Sequence, residues 1–101
     1  MVRYYVYMLR CHDQSLYTGY ARDLTERIMI HQEGKGSKYT RSRLPITCVF
    51  WEGFDNKSEA MKRENSIKKM TKAEKEALVN AFADTLKVQT GRNDEQSGMD
   101  A

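Results

Sequence analysis

The sequence predicts a single α/β domain of the α+β kind, ordered β-β-α-β-α-α, in which a three-stranded antiparallel sheet is flanked by helices. Three observations carry this. Residues 3–10, "RYYVYMLR", and 46–54, "ITCVFWEGF", are β-branched and aromatic with no helix breaker inside them. Two capping patterns, Asp23 with Glu26 and Thr71 with Glu74, each precede a stretch that suits a helix. The length of 101 residues is enough for one small domain and not for two.

The first strand is followed by the turn formers of "CHDQS" and then by "LYTGY", so the two strands make a hairpin. Tyr4, Val6 and Met8 face one way and Tyr5, Tyr7 and Leu9 the other. A strand apolar on both faces belongs in the centre of its sheet. The first helix runs from about residue 24 to 33 and is ended by Gly34 and Gly36. "GKGSKYTRSRLP" reads as a loop closed by Pro45. After the third strand, "DNKS" forms a turn and cap, and the second helix covers roughly 58–69. The third helix extends to about residue 85, with Ala77, Leu78, Ala81 and Phe82 as its apolar stripe. The domain is expected over 1–86, and 87–101 reads as a polar tail with almost nothing to bury, hence disordered.

Composition limits the function classes. No apolar run approaches the length of a membrane span, and the N-terminus enters a strand pattern with no signal-peptide form, so a cytoplasmic protein is the default. Cys11 and Cys48 are far apart, with no CxxC, which favours free thiols over a disulfide or a zinc knuckle. The net charge is +3, and the last eleven residues contribute one Arg against three acids. Residues 1–90 therefore hold 16 basic and 11 acidic side chains, a net +5. A core of that charge permits a nucleic-acid partner without requiring one.

Glu64 stands out. In the helix "EAMKRENSIKK" it lies among Ala60, Met61 and Ile67, within about 60° of each on the helical wheel. A buried, unpaired carboxylate costs several kcal/mol. Either Lys68, one turn on, pairs with it, or Glu64 lines a cavity and binds a hard cation such as Mg²⁺. In the first helix, Arg27 and His31 share a side, with His31 about 20° and Arg27 about 60° from the apolar Leu24. Arg27 thus sits at the rim of the buried face, where it either covers apolar surface or holds a phosphate. His31 is either a hydrogen-bonded core residue or a functional one. Tyr7 and Tyr17 lie on the two arms of the hairpin, and Gly19 ends the second arm where another group can approach closely. Lys35, Lys38, Arg41 and Arg43 surround Tyr39 in a loop without acids, a composition suited to phosphate contacts with a ring for stacking. A second basic run holds Lys68, Lys69, Lys72 and Lys75.

Together these residues resemble the GIY-YIG endonuclease superfamily, and within it the small stand-alone bacterial members. The pair "YVY" (5–7) and "YTG" (17–19) stands for its motif, with Arg27, His31 and Glu64 following in order. The resemblance spans residues 3 to about 80. Tyr5 replaces the motif's first glycine, and Val6 and Thr18 replace its isoleucines. The resemblance implies a Mg²⁺- or Mn²⁺-dependent endonuclease acting on DNA in preference to RNA, in repair or processing, as a monomer or weak dimer. It implies one ion on Glu64, a phosphate oxygen on Arg27, Tyr7 as general base oriented by Tyr17, and the loop 35–43 along the strand backbone. For His31 it leaves two roles open, proton transfer and phosphate binding. A non-catalytic DNA- or RNA-binding module of the same fold is the alternative.

Overall fold

The computed structural model describes residues 1–97, with side chains as far as residue 86. Strands β1 (Tyr4–Arg10), β2 (Leu16–Ala21) and β3 (Thr47–Phe54) form one antiparallel sheet in the order β2-β1-β3. The strand with two apolar faces is the central one, as its pattern requires. Val6, Met8, Tyr7 and Leu9 are all buried, and their side chains alternate between two separate cores.

On one face, helices α1 (Leu24–Gln32) and α2 (Lys38–Arg41) cover Tyr7, Leu9, Ala21 and Ile46. On the other, helices α3 (Lys57–Lys68) and α4 (Lys72–Ser97) cover Val6, Met8 and Phe50 with Ala60, Ile67 and Val79. Asp23 caps α1 by accepting from the Glu26 amide. Asn56 caps α3 by accepting from the Glu59 amide. At α4 the capping box is reciprocal: the Glu74 amide donates to Thr71 Oγ1, and the Thr71 amide donates to Glu74 Oε1.

Three expectations are corrected. The segment 34–45 is not all loop, because Ser37 accepts from the Thr40 amide and starts the short helix α2. The buried stripe of α4 is Leu78, Val79 and Phe82, while Ala77 and Ala81 are exposed. Leu78 and Phe82 are four apart, and Val79 lies beside them on the same face. The backbone of α4 also continues to Ser97, well past residue 85. Its extension contains no proline, and Gly91 costs a helix only about 1 kcal/mol. The expected tail at 98–101 lies outside the described residues. Cys11 and Cys48 are both free thiols. Among the described residues, no helix is long and apolar enough to cross a membrane.

Candidate active site

Tyr7 leaves β1 on the α1 face and its ring crosses the neighbouring strand at Gly19, its direct partner in the ladder. A Cβ at position 19 would stand 2.5 Å from the Tyr7 hydroxyl oxygen, so only glycine leaves room. That hydroxyl meets His31 Nε2 at 2.9 Å. The other ring nitrogen, Nδ1, meets Thr40 Oγ1 at 2.8 Å, and Thr40 Oγ1 lies 3.0 Å from Ser37 Oγ. One assignment lets each group donate once. Tyr7 O–H donates to Nε2, Nδ1–H donates to Thr40 Oγ1, and the Thr40 hydroxyl donates onward to Ser37. The chain runs from the sheet through α1 into α2, and Tyr7, His31 and Thr40 are fully buried. Gly36 makes room for it, since a Cβ there would overlap the His31 ring.

Burial sets the protonation of this chain. It pushes the Tyr7 hydroxyl well above the usual phenol value, with Tyr17 and Glu64 adding to the rise and Arg27 opposing it. Burial also lowers His31, and Arg27 lowers it further. At neutral pH the pair is a neutral phenol donating to a neutral imidazole. The direction for Tyr7 is opposite to the one a free tyrosinate base needs. The charges of Arg27 and Glu64 both reach the Tyr7 hydroxyl, one from each covering layer of the sheet.

Arg27 is exposed, not at the rim of the buried face, and among the described residues it has no hydrogen-bond or ion-pair partner. Glu64 is 9 % exposed, on the face of α3 that carries the buried Ala60 and Ile67. Lys68 Nζ lies 3.2 Å from its carboxylate, so the residue both faces the core and has a counter-ion. Among the described residues, no three His, Cys, Asp or Glu side chains cluster as ligands. A single carboxylate does not suit a multi-ligand zinc cage; the ions it could hold are Mg²⁺ or Mn²⁺, which keep several waters of their own.

Tyr17 packs at 5.2 Å from the His31 ring and 6.5 Å from the Tyr7 ring, centroid to centroid. Tyr39 stacks on Tyr17 at 6.0 Å, and the Arg43 guanidinium covers Tyr39 at 3.8 Å. Tyr39 is therefore already stacked on Tyr17 and roofed by Arg43, and Arg43 also pairs with Asp13. Lys35, Lys38 and Arg41 are exposed, without ion pairs among the described residues. The basic loop thus splits into Arg43, which is engaged in the fold, and three free cations. Sequence reasoning missed Ser37, Thr40 and Gly36. The pattern Ser-x-x-Thr of a short cap was the available signal for the first two.

Comparison with known proteins agrees with the fold. The model of the GIY-YIG catalytic domain matches residues 3–77. The UPF0213 protein of Staphylococcus saprophyticus is 48 % identical over 80 residues, covering 79 % of this chain and 98 % of that protein. Its counterpart in the archaeon Natronomonas pharaonis is 50 % identical over 76 residues, covering 75 % and 89 %. The solution structure of a UPF0213 protein from Bacillus halodurans is similar, with a TM-score of 0.53 at 46 % identity, covering 77 % of this chain and 83 % of that one. With the domain model matched over residues 3–77 and relatives near 50 % identical, the chain belongs to the GIY-YIG catalytic domain family.

Proposed function

We propose that this protein is a metal-dependent endonuclease that hydrolyses phosphodiester bonds in DNA during repair or processing. The observation that carries the reading is the buried Tyr7–His31–Thr40 chain, within reach of the charges of both Arg27 and Glu64. Because Tyr7 is protonated at neutral pH, it acts as a relay. As a water attacks phosphorus, its proton passes to Tyr7 Oη while the phenolic proton passes to His31 Nε2. The imidazolium so formed keeps its Nδ1–H bond to Thr40. Arg27, free of other partners, binds a non-bridging phosphate oxygen and stabilises the charge that grows there. Tyr17 packs against both rings of the relay and holds them in place. Glu64 would hold the Mg²⁺ or Mn²⁺, which when bound supplies charge neutralisation at the phosphate and the leaving oxygen. Lys35, Lys38 and Arg41 attract the strand's backbone.

The test is nicking of plasmid DNA with Mg²⁺ or with EDTA, using the parent protein, Glu64→Gln and Arg27→Ala. EDTA abolishes nicking, and each substitution lowers the rate by about 10²-fold or more. Undiminished nicking by Glu64→Gln overturns the role given to that carboxylate. Lys68 already neutralises Glu64, an observation that favours a binding module without turnover. DNA binding with no metal-dependent nicking would establish that second reading.

A further inference from the structure

A cleft of about 280 Å³ opens beside the relay, between β2, α2 and the helices of the opposite layer. Its walls are Leu16, Tyr17, Thr18, Tyr39, Lys68 and Lys75. Nothing in the mechanism above uses Thr18 or Lys75. The Thr18 hydroxyl is buried and has no hydrogen-bond partner, a state that costs about 1–3 kcal/mol. Lys75 is half-buried and has no carboxylate in ion-pair distance among the described residues. Lys68 is half-exposed, and among the described residues its one ion-pair partner is Glu64. Two ammonium groups facing one small cleft repel each other unless an anion lies between them. The stacked pair of Tyr17 and Tyr39 supplies an apolar wall. Tyr17 also borders His31, so an anion held here stands next to the reacting centre.

We propose that this cleft is a subsite for a non-scissile phosphate of the substrate strand, held by Lys68 and Lys75 with its sugar against Tyr17 and Tyr39. The assignment of the strand rests on the nuclease reading; the capture of a phosphate does not. The volume suits one phosphate and sugar, and the cleft is too small for a larger ligand. Lys68 exchanges partners on capture. It leaves Glu64 for the phosphate, which frees the carboxylate when the strand is in place. The strand and the cation at Glu64 thus help each other to bind.

The experiment is an NMR titration of the full chain in EDTA, with thymidine 5′-monophosphate and with hexathymidylate. Both ligands are expected to move the signals of residues 16–18, 39, 68 and 75. Lys68→Met and Lys75→Met each weaken thymidylate binding about fivefold. Lys75→Arg retains binding within about twofold, and so does Lys62→Met, an exposed lysine of α3 outside the cleft. Amide dispersion verifies that each variant is folded. Equal losses in Lys62→Met and Lys75→Met would reduce the effect to diffuse charge and overturn the subsite. So would a loss in Lys75→Arg as large as in Lys75→Met. Thymidylate binding without the same shifts from hexathymidylate would overturn the assignment to a strand. EDTA removes turnover, so the two readings fail separately. A protein that binds here and never nicks sinks the nuclease alone, and one that nicks without these shifts sinks the subsite alone.

Discussion

The two faces of the sheet share their central strand and differ in what they bury. Toward α3 and α4, β1 offers Val6 and Met8 to Phe50, Ala60, Ile67 and Val79, an apolar cluster held by dispersion, with the Glu64 carboxylate and its partner Lys68 on the same helix as Ala60 and Ile67. Toward α1 and α2, the same strand offers Tyr7 and Leu9, and a line of polar groups runs through the packing. The first face stabilises the domain. The second carries a phenol, an imidazole and a hydroxyl whose hydrogen bonds are satisfied by one another and by Ser37. Buried polar chains of this kind lose more when broken than they gain when formed. One strand can therefore serve a stabilising layer and a reactive one, because alternate residues never share a face.

The most severe break falls on the polar face. Tyr7→Phe keeps the ring and removes the hydroxyl bonded to His31, the first group of the proposed relay. Metal-dependent nicking is expected to fall by about 10²- to 10⁴-fold, the usual worth of a positioned proton carrier. Stability is expected to fall by no more than about 2 kcal/mol, because the packing volume is kept. A phenylalanine variant that nicks at the parental rate would remove the relay from the mechanism.

Ile67→Ala is the matching cut in the apolar face. Ile67 is fully buried in that cluster. Its truncation costs about 2–5 kcal/mol of unfolding free energy, read by urea denaturation. Nicking per folded molecule should be nearly unchanged. If the rate of the folded fraction fell with the stability, the two faces would not be separable.

Gly36→Ala sharpens the contrast at a smaller cost. The new methyl group overlaps the His31 ring, which is fixed by bonds at both nitrogens. The α2 segment has to shift or the ring has to turn. A rate loss of about tenfold with a stability loss of about 1 kcal/mol is expected, since small misplacements of a catalytic group act mainly on rate. An unchanged rate would mean that the His31–Thr40 bond is dispensable.

How legible these faces were in the sequence depended on the kind of signal. The central strand, the hairpin and the positions of α1 and α3 follow from alternation and capping, which are local. Glu64 was marked as anomalous by its apolar neighbours on one helix, and of its two readings the pairing with Lys68 is the one present, on a residue that is also buried. His31 was visible as a histidine on an apolar face, but its partners come from Tyr7, 24 positions away, and Thr40, nine away. No periodicity encodes such a pairing. The start of α2 was masked by glycines and lysines that read as loop, although Ser37 caps it. Arg27 was placed at the rim because a wheel gives an angle and not the depth of the neighbouring layer. Tyr39 looked free to stack because its covering by Tyr17 and Arg43 is a tertiary contact.

The smallest expected effect lies outside both faces and separates charge from packing. Arg10, at the end of β1, holds Glu76 of α4 by two hydrogen bonds, at 2.5 and 2.8 Å. That guanidinium, with Lys72 assisting, holds the Glu76 carboxyl down to about 2, against an ordinary value of 4.5. A carboxyl depressed by folding stabilises the native state above its unfolded value and loses that contribution as the pH falls through the folded one. The pair's contribution is thus complete above pH 4.5 and fades between there and about 2. Both side chains are roughly a quarter exposed, which limits the stabilisation to about 1 kcal/mol. Glu76→Gln should therefore lower the thermal midpoint by a few degrees at pH 7 and by nothing at pH 2. The Ile67 side chain carries no charge, so the deficit of Ile67→Ala should persist at both pH values. A pH-independent deficit in Glu76→Gln would mean that the residue acts through its packing on β1 and not through its charge.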